Sequence, residues 1–299
     1  IRDRYQTPLH VRAIDGEARL SRDGETDPLP LGMPLIEGDI VSTEGGRIEM
    51  QAADGSVVDL DLYSALEIVA DHSFRLREGR VALLVSAAAR SAGSRYHLET
   101  PDGQVVTSGA GEYQVATAGS SQEASTRFAQ WIDERRHERA ASAASNGYLP
   151  NELSPYANTF DRYGQWSVEP GYGYVWAPSV EATWQPFYVG YWSAVGRYGW
   201  TWISGDPWGW PTHHYGRWHH LRNRWVWSSG RQWSPAWVTW GASGHYVSWS
   251  PVGVGVAWNT RRGPYQTDRT MGRVVVPHDY FQSKRSPVAR FAVPPHQID

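Results

Sequence analysis

Four imidazoles fall within eight residues, His213-His214 and His219-His220, on either side of Trp218. Nitrogen ligands clustered this closely are the raw material of zinc and copper sites. On a strand, however, adjacent side chains point to opposite faces, so at most one histidine of each pair aims at a common point. No carboxylate lies between or beside them to orient a ligating ring. The reading is surface or hydrogen-bonded histidines and no metal.

The nearest carboxylate pairs are Asp59/Asp61 and Asp133/Glu134. The first alternates outward along a strand pattern and the second sits in a charged helical run, so neither faces a recognisable pocket motif. There is no Gly-x-Ser-x-Gly, no P-loop and no dinucleotide glycine signature, and Gly171–Gly173 reads as a hairpin turn. With no cysteine, thiolate nucleophiles, thiolate metal sites and disulfides are excluded. The chain is expected to be no enzyme and to carry no cofactor.

Tryptophan carries the strongest signal. Tyr163-Gly-Gln-Trp166, Val189-Gly-Tyr-Trp192 and Tyr215-Gly-Arg-Trp218 recur with their closing Trp 26 residues apart, and Trp176 to Trp202 and Trp184 to Trp210 keep the same step. Of 17 tryptophans, 16 stand at or after position 166, so the repeat is confined to one part of the chain. Self-similarity at a fixed period marks one supersecondary unit copied along the chain, its copies burying their faces on each other. Each copy reads as two short strands and a tight turn: Glu169–Gly173, Val195-Gly-Arg197 and Leu221-Arg-Asn223 are the turns. Between copies, Trp184-Gln-Pro186 and Trp210-Pro211 read as strand edges or starts, where a missing N–H is tolerated. After Trp227 the period degrades through Trp233, Trp237 and Trp240 to Trp249 and Trp258.

The elements before and after this repeat differ in kind. From His10 to about Ala118, short alternating runs separated by Gly/Asp turns predict an antiparallel sandwich or barrel. Ser120-Ser-Gln-Glu123 has capping-box spacing ahead of Phe128, Trp131 and Ile132, which predicts an amphipathic helix docked on a sheet. From Thr260 onward, Arg261, Arg262, Arg269, Arg273, Lys284, Arg285 and Arg290 stand against Asp268, Asp279 and Asp299, a local balance of +4. With Pro287, Pro294 and Pro295, that segment reads as an extended basic tail. The whole chain is near −3, which gives no electrostatic case for nucleic acid. No apolar run approaches the ~20 residues of a bilayer span. The start at Ile1 reads as a mature, processed or trimmed form, with any signal peptide or lipid-bearing cysteine upstream.

Several words in the first module resemble FecR-like periplasmic domains: Pro34-Leu-Ile-Glu-Gly-Asp-Ile-Val-Ser-Thr43, Asp54-Gly-Ser-Val-Val58, Leu76-Arg-Glu-Gly-Arg80 and Thr100-Pro-Asp-Gly-Gln-Val-Val106. The resemblance implies a non-enzymatic domain on the outer side of the inner membrane. Such domains usually continue with further strands, whereas here the chain turns helical at Thr117–Ser121, so this copy looks shortened. Tyr163-Gly-Gln-Trp166, Tyr174-Val-Trp-Ala-Pro178, Pro207-Trp-Gly-Trp-Pro-Thr-His-His-Tyr-Gly-Arg-Trp218 and Ser234-Pro-Ala-Trp-Val238 resemble an uncharacterised Trp-rich bacterial envelope family, frequently fused behind a FecR-like domain. That resemblance implies an architecture and a compartment, with no assigned activity.

The expected organisation is mainly β: a FecR-like domain at 1–118, a connecting helix at 119–145, a Trp-rich hairpin repeat at 146–259 and a basic tail at 260–299. The expected function is a periplasmic scaffold subunit, peripheral to a membrane, clamping other protein subunits of a larger membrane complex. One candidate machine is a bacterial photosynthetic reaction-centre and light-harvesting assembly, suggested by the processed-looking start and the family context. The expected partner contacts are Trp192, Trp208, Trp210 and Trp218 with the seven basic tail residues named above, which also suit anionic lipid headgroups. The alternative is a carbohydrate or cell-wall binding module, which predicts two or three coplanar exposed rings lining a groove. A FecR-type signalling role, the third reading, requires a transmembrane segment ahead of the domain.

Overall fold

A computed structural model describes residues 6–117, 122–140, 143–253, 258–259, 263–264, 272–282 and 286–293. Chain contacts divide it into two compact units at the Ala140/Ala141 boundary.

The first unit is built of two sheets. One has five antiparallel strands in the order His10–Asp15, Arg47–Gln51, Val57–Leu60, Arg80–Val85, Gly111–Ala116. The other has seven, in the order Gly103–Val106, His97–Thr100, Ser73–Glu78, Ala65–Ala70, Ile40–Thr43, Ala18–Arg22, Glu25–Pro28, with one parallel pair between His97–Thr100 and Ser73–Glu78. Alternation of apolar residues buries Leu20, Ile48, Val58, Leu60, Leu66, Leu76, Val81 and Leu98.

The helix Gln122–Ala140 belongs to this unit. Phe128, Trp131 and Ile132 pack on Ala82 of the five-stranded sheet, as the apolar stripe predicts. That contact corrects the expectation that Asp59/Asp61 point outward. Glu49, Asp59 and Ala82 are cross-strand neighbours in one row, and the row ending on Ala82 is the one the helix covers. Both faces of this sheet are therefore buried, and alternation no longer marks a solvent side. Arg139 and Arg135 of the helix pair with the fully buried Glu49, which Arg12 also reaches at 2.9 Å. Asp61 is held by Arg47 at 2.8 Å and Arg80 at 2.7 Å. Among the described residues Asp59 has no such ion-pair partner: burial, then the charge of Glu49, push its carboxyl up to about 8.

The second unit opens with a helix, Ala157–Tyr163, followed by four β-hairpins. They are Gly164–Glu169 with Gly173–Pro178, Gly190–Val195 with Gly199–Ser204, Arg217–Leu221 with Arg224–Ser228, and Val238–Ser243 with Tyr246–Pro251. Each sets one tryptophan opposite another: Trp166 faces Trp176, Trp192 faces Trp202, Trp218 faces Trp227, and Trp240 faces Trp249. The fourth hairpin is a genuine copy where the sequence shows only a fading period. The copies do not stack in simple succession. Hairpins one and three form a single four-stranded sheet through Trp176 and Trp227, while Val274–Pro277 adds a third strand to the fourth hairpin.

Two further expectations change. Trp210-Pro211 does not begin a strand; it lies in the short helix Gly209–His214, where proline in the first turn forfeits no helical hydrogen bond. The segment expected as an extended basic tail is in part held by its own domain as a core element. Val274–Pro277 pairs with Tyr246–Pro251, and Val274, Val276 and Tyr280 are buried.

Candidate functional site

The core of the second unit is a lattice of rings. Around Phe160 gather Trp166, Trp176 and Trp227, at centroid distances of 5.7, 5.0 and 5.1 Å. A second group joins hairpins two and four: Trp192 lies 5.3 Å from Trp202, 5.5 Å from Trp249 and 4.5 Å from Trp240. His213 stands between the groups, 6.2 Å from Trp202 and 6.0 Å from Trp218. A short hairpin has too few residues for an aliphatic core, and an indole supplies the largest buried area of any side chain.

The Gly-x-Trp word has a steric cause. A Cβ on Gly190 would come within 2.7 Å of Trp202 and closer still to the Ile203 carbonyl, and one on Gly216 within 2.7 Å of Trp227 and closer still to the Ser228 carbonyl, so the facing strand and its indole together occupy the space a side chain would need. The fourth hairpin has Val238 at the equivalent place, which is why its word is not visible in the sequence.

Of the four tryptophans expected as partner contacts, Trp192, Trp208, Trp210 and Trp218 are all buried, at 2 to 7% exposure. They form the core and present no face to a partner. Indole N–H groups of Trp176, Trp227 and Trp249 donate to the carbonyls of Phe160, Tyr215 and Phe187 at 2.9 to 3.0 Å. Those of Trp192, Trp202, Trp208, Trp218 and Trp233 are buried with no acceptor among the described residues. Of the basic candidates, Arg273 and Arg290 are exposed, while Arg261, Arg262, Arg269, Lys284 and Arg285 lie outside the described residues.

The histidines are structural. His213 and His214 lie on a helix, not a strand, and both are buried. His213 Nδ1 donates to the Gly209 carbonyl at 3.0 Å and its Nε2 accepts from the Phe187 N–H at 3.3 Å. His214 Nδ1 donates to the Ser234 carbonyl at 2.9 Å, and His219 Nε2 meets Ser228 Oγ at 2.9 Å. Burial pushes the three rings down to about 3, 4 and 4 respectively, so they are neutral. No group of three or more His, Cys, Asp or Glu side chains placed to hold a metal occurs among the described residues.

What the surface offers instead is aromatic. Trp200 and Trp240 are 43% and 48% exposed, and both lean on Phe281, at 4.7 and 6.0 Å. They come from hairpins two and four and from the 3₁₀ segment His278–Gln282, brought together only by the fold. A strand position says that Trp200 shares a face with Trp202, but not that the strand end leaves it uncovered.

Fold and site together define a two-part, mainly β protein: a β unit with a docked helix, then a Trp-paired hairpin unit with two exposed tryptophans beside a half-buried phenylalanine. Residues 38–127 match the family described as FecR protein, and residues 157–256 match a family of unknown function, DUF6600. The chain thus carries a FecR domain followed by a domain of that uncharacterised family. Neither a curated protein nor a solved structure gives a significant match. FecR proteins are envelope-associated, and no helix among the described residues is long and apolar enough to cross a membrane.

Proposed function

We propose that this protein is a non-enzymatic periplasmic scaffold, peripheral to a membrane, which steadies other protein subunits of a larger membrane-bound complex. One observation carries the reading: three of the four clustered histidines of the Trp-rich unit are spent inside it. His213, His214 and His219 are neutral, buried and hydrogen-bonded, and the surface keeps exposed rings and arginines. Exposed aromatic and Arg side chains are the residue types that anchor protein contacts. The FecR domain supports an envelope setting of regulatory type.

The glycan alternative draws on the same exposed rings and expects them to form a coplanar platform. Phe281 stands at 66° to Trp200 and 56° to Trp240. The test is gentle detergent extraction of native membranes carrying the chain tagged at Asp299, followed by mass spectrometry of what co-purifies. Membrane subunits at fixed ratio are expected, and their identity names the machine, a photosynthetic reaction-centre and light-harvesting assembly being one candidate. Recovery of the chain alone from the soluble fraction overturns the reading.

A further inference from the structure

We propose that Trp200, Trp240 and Phe281 form a docking surface for an anionic lipid bilayer. The inference rests on the envelope setting of the proposed function and not on any subunit partner. Isolated exposed hydrophobic residues need no explanation, but a cluster assembled from three separate segments does. Trp240 lies on the outer strand Val238–Ser243, which carries no charged residue and is open to solvent from Trp240 to Ser243. An apolar, uncharged edge with half-exposed indoles is the chemistry of the headgroup boundary, where tryptophan's apolar body and N–H are both satisfied.

Charge selects the lipid. From Pro186 to the end, the chain has 12 Arg and Lys against 4 Asp and Glu, whereas the preceding 185 residues have 16 against 27. The near-neutral total therefore hides a division, about +8 after that point and −11 before it. Arg197 is exposed in the turn of the hairpin that bears Trp200. Arg290, nine residues after Phe281, is exposed. Asp279 is the only carboxylate between Gly272 and Val293. Basic residues beside an apolar patch add to bilayer affinity only where the surface is negative.

The test is flotation of the purified full chain with vesicles of equal parts phosphatidylcholine and phosphatidylglycerol, against vesicles of phosphatidylcholine alone. Binding to the anionic vesicles is expected, weakening with salt. The double variant Trp200→Ala/Trp240→Ala lowers the partition coefficient at least about tenfold, from the ring area no longer buried. Arg197→Glu leaves every ring in place and lowers anionic binding about tenfold, guarding against a misfolded double variant. No flotation of the wild type, equal binding to neutral vesicles, or undiminished flotation of both variants overturns the proposal. Retention on purified peptidoglycan, lost in the Trp variant while vesicles fail to bind, overturns it in favour of a glycan. Because no other subunit is present, the result is read separately from the co-purification.

Discussion

Trp176 lies directly over Gly164 of the facing strand: a Cβ on Gly164 would stand 2.5 Å from the indole Cε2 and Cζ2 atoms. The glycine is in extended backbone, at φ −175°, so its need is space and not a special conformation. Gly164→Ala is therefore expected to cost about 1–3 kcal/mol by overpacking. Gly171 is the control, at φ +82° with nothing within 4 Å of its Cβ position. Gly171→Ala costs about 1 kcal/mol of backbone strain alone. Chemical denaturation of both variants checks the order; equal losses would refute the steric account.

Two buried indoles in equivalent positions differ in one hydrogen bond. Trp176 donates to Phe160 at 3.0 Å, while Trp202 Nε1 has no acceptor among the described residues. Phenylalanine removes the N–H from either ring. Trp176→Phe loses one of the two hydrogen bonds on the Phe160 carbonyl, which keeps that from the Gly164 N–H, and Trp202→Phe removes an unsatisfied donor, so the first is expected to be less stable by about 1–2 kcal/mol. Thermal melts of the pair decide it.

The turn of the third hairpin puts two ordinary residues in the left-handed region, Arg222 at φ 49° and Asn223 at φ 63°. Two such residues in a two-residue loop make the turn that Asn-Gly fits best. Arg222→Asn with Asn223→Gly is expected to stabilise the protein by about 1 kcal/mol. The lost contact of Arg222 with Glu169 at 3.3 Å takes back little, since Arg222 is 73% exposed.

Asp59 makes stability fall as pH rises. Its folded carboxyl is raised to about 8 from 3.8, so its contribution is complete below 3.8 and is lost on going up through 8. Asp59→Asn keeps the shape without the charge. Its stability relative to wild type is expected to grow between pH 4 and pH 8, reaching a few kcal/mol, on the order of the linkage for such a shift. A constant difference across that range would exclude a buried titrating carboxyl.

The histidines act in the opposite direction. His213, His214 and His219 are held below the usual 6.5, at about 3, 4 and 4, so they stabilise the fold above 6.5 and lose that contribution as pH falls. Acid unfolding of wild type is expected to begin below pH 6.5. His219→Gln should flatten that limb by roughly 1–3 kcal/mol at pH 4.5, read from denaturation midpoints against pH.

Local pattern made three hairpins legible because their turn, their glycine and their paired tryptophans lie within one 26-residue word. The fourth escaped because Val238 replaces the glycine and its Trp240 follows Trp218 by 22 residues. The pairing of Val274–Pro277 is not legible because its partner lies across an intervening stretch that carries no pairing signal. The burial of Glu49 and Asp59 was hidden for a related reason: a helix from far along the chain covers what alternation marks as the solvent face. Exposure was the least legible property. Trp192 and Trp240 touch each other at 4.5 Å, yet one is core and the other surface, which only the packing of hairpins decides.

The strand Val274–Pro277 also has a consequence for how the molecule is made. Tyr280 Oη lies 3.3 Å from the Trp192 backbone N–H, and the strand occupies the hydrogen-bonding edge of Tyr246–Pro251. A nascent chain interrupted ahead of Val274 would hold four finished hairpins beside an unpaired edge, the template on which separate chains associate. A Trp-rich unit cut ahead of Val274 is thus expected to self-associate along that open edge, where one that includes the strand has it covered.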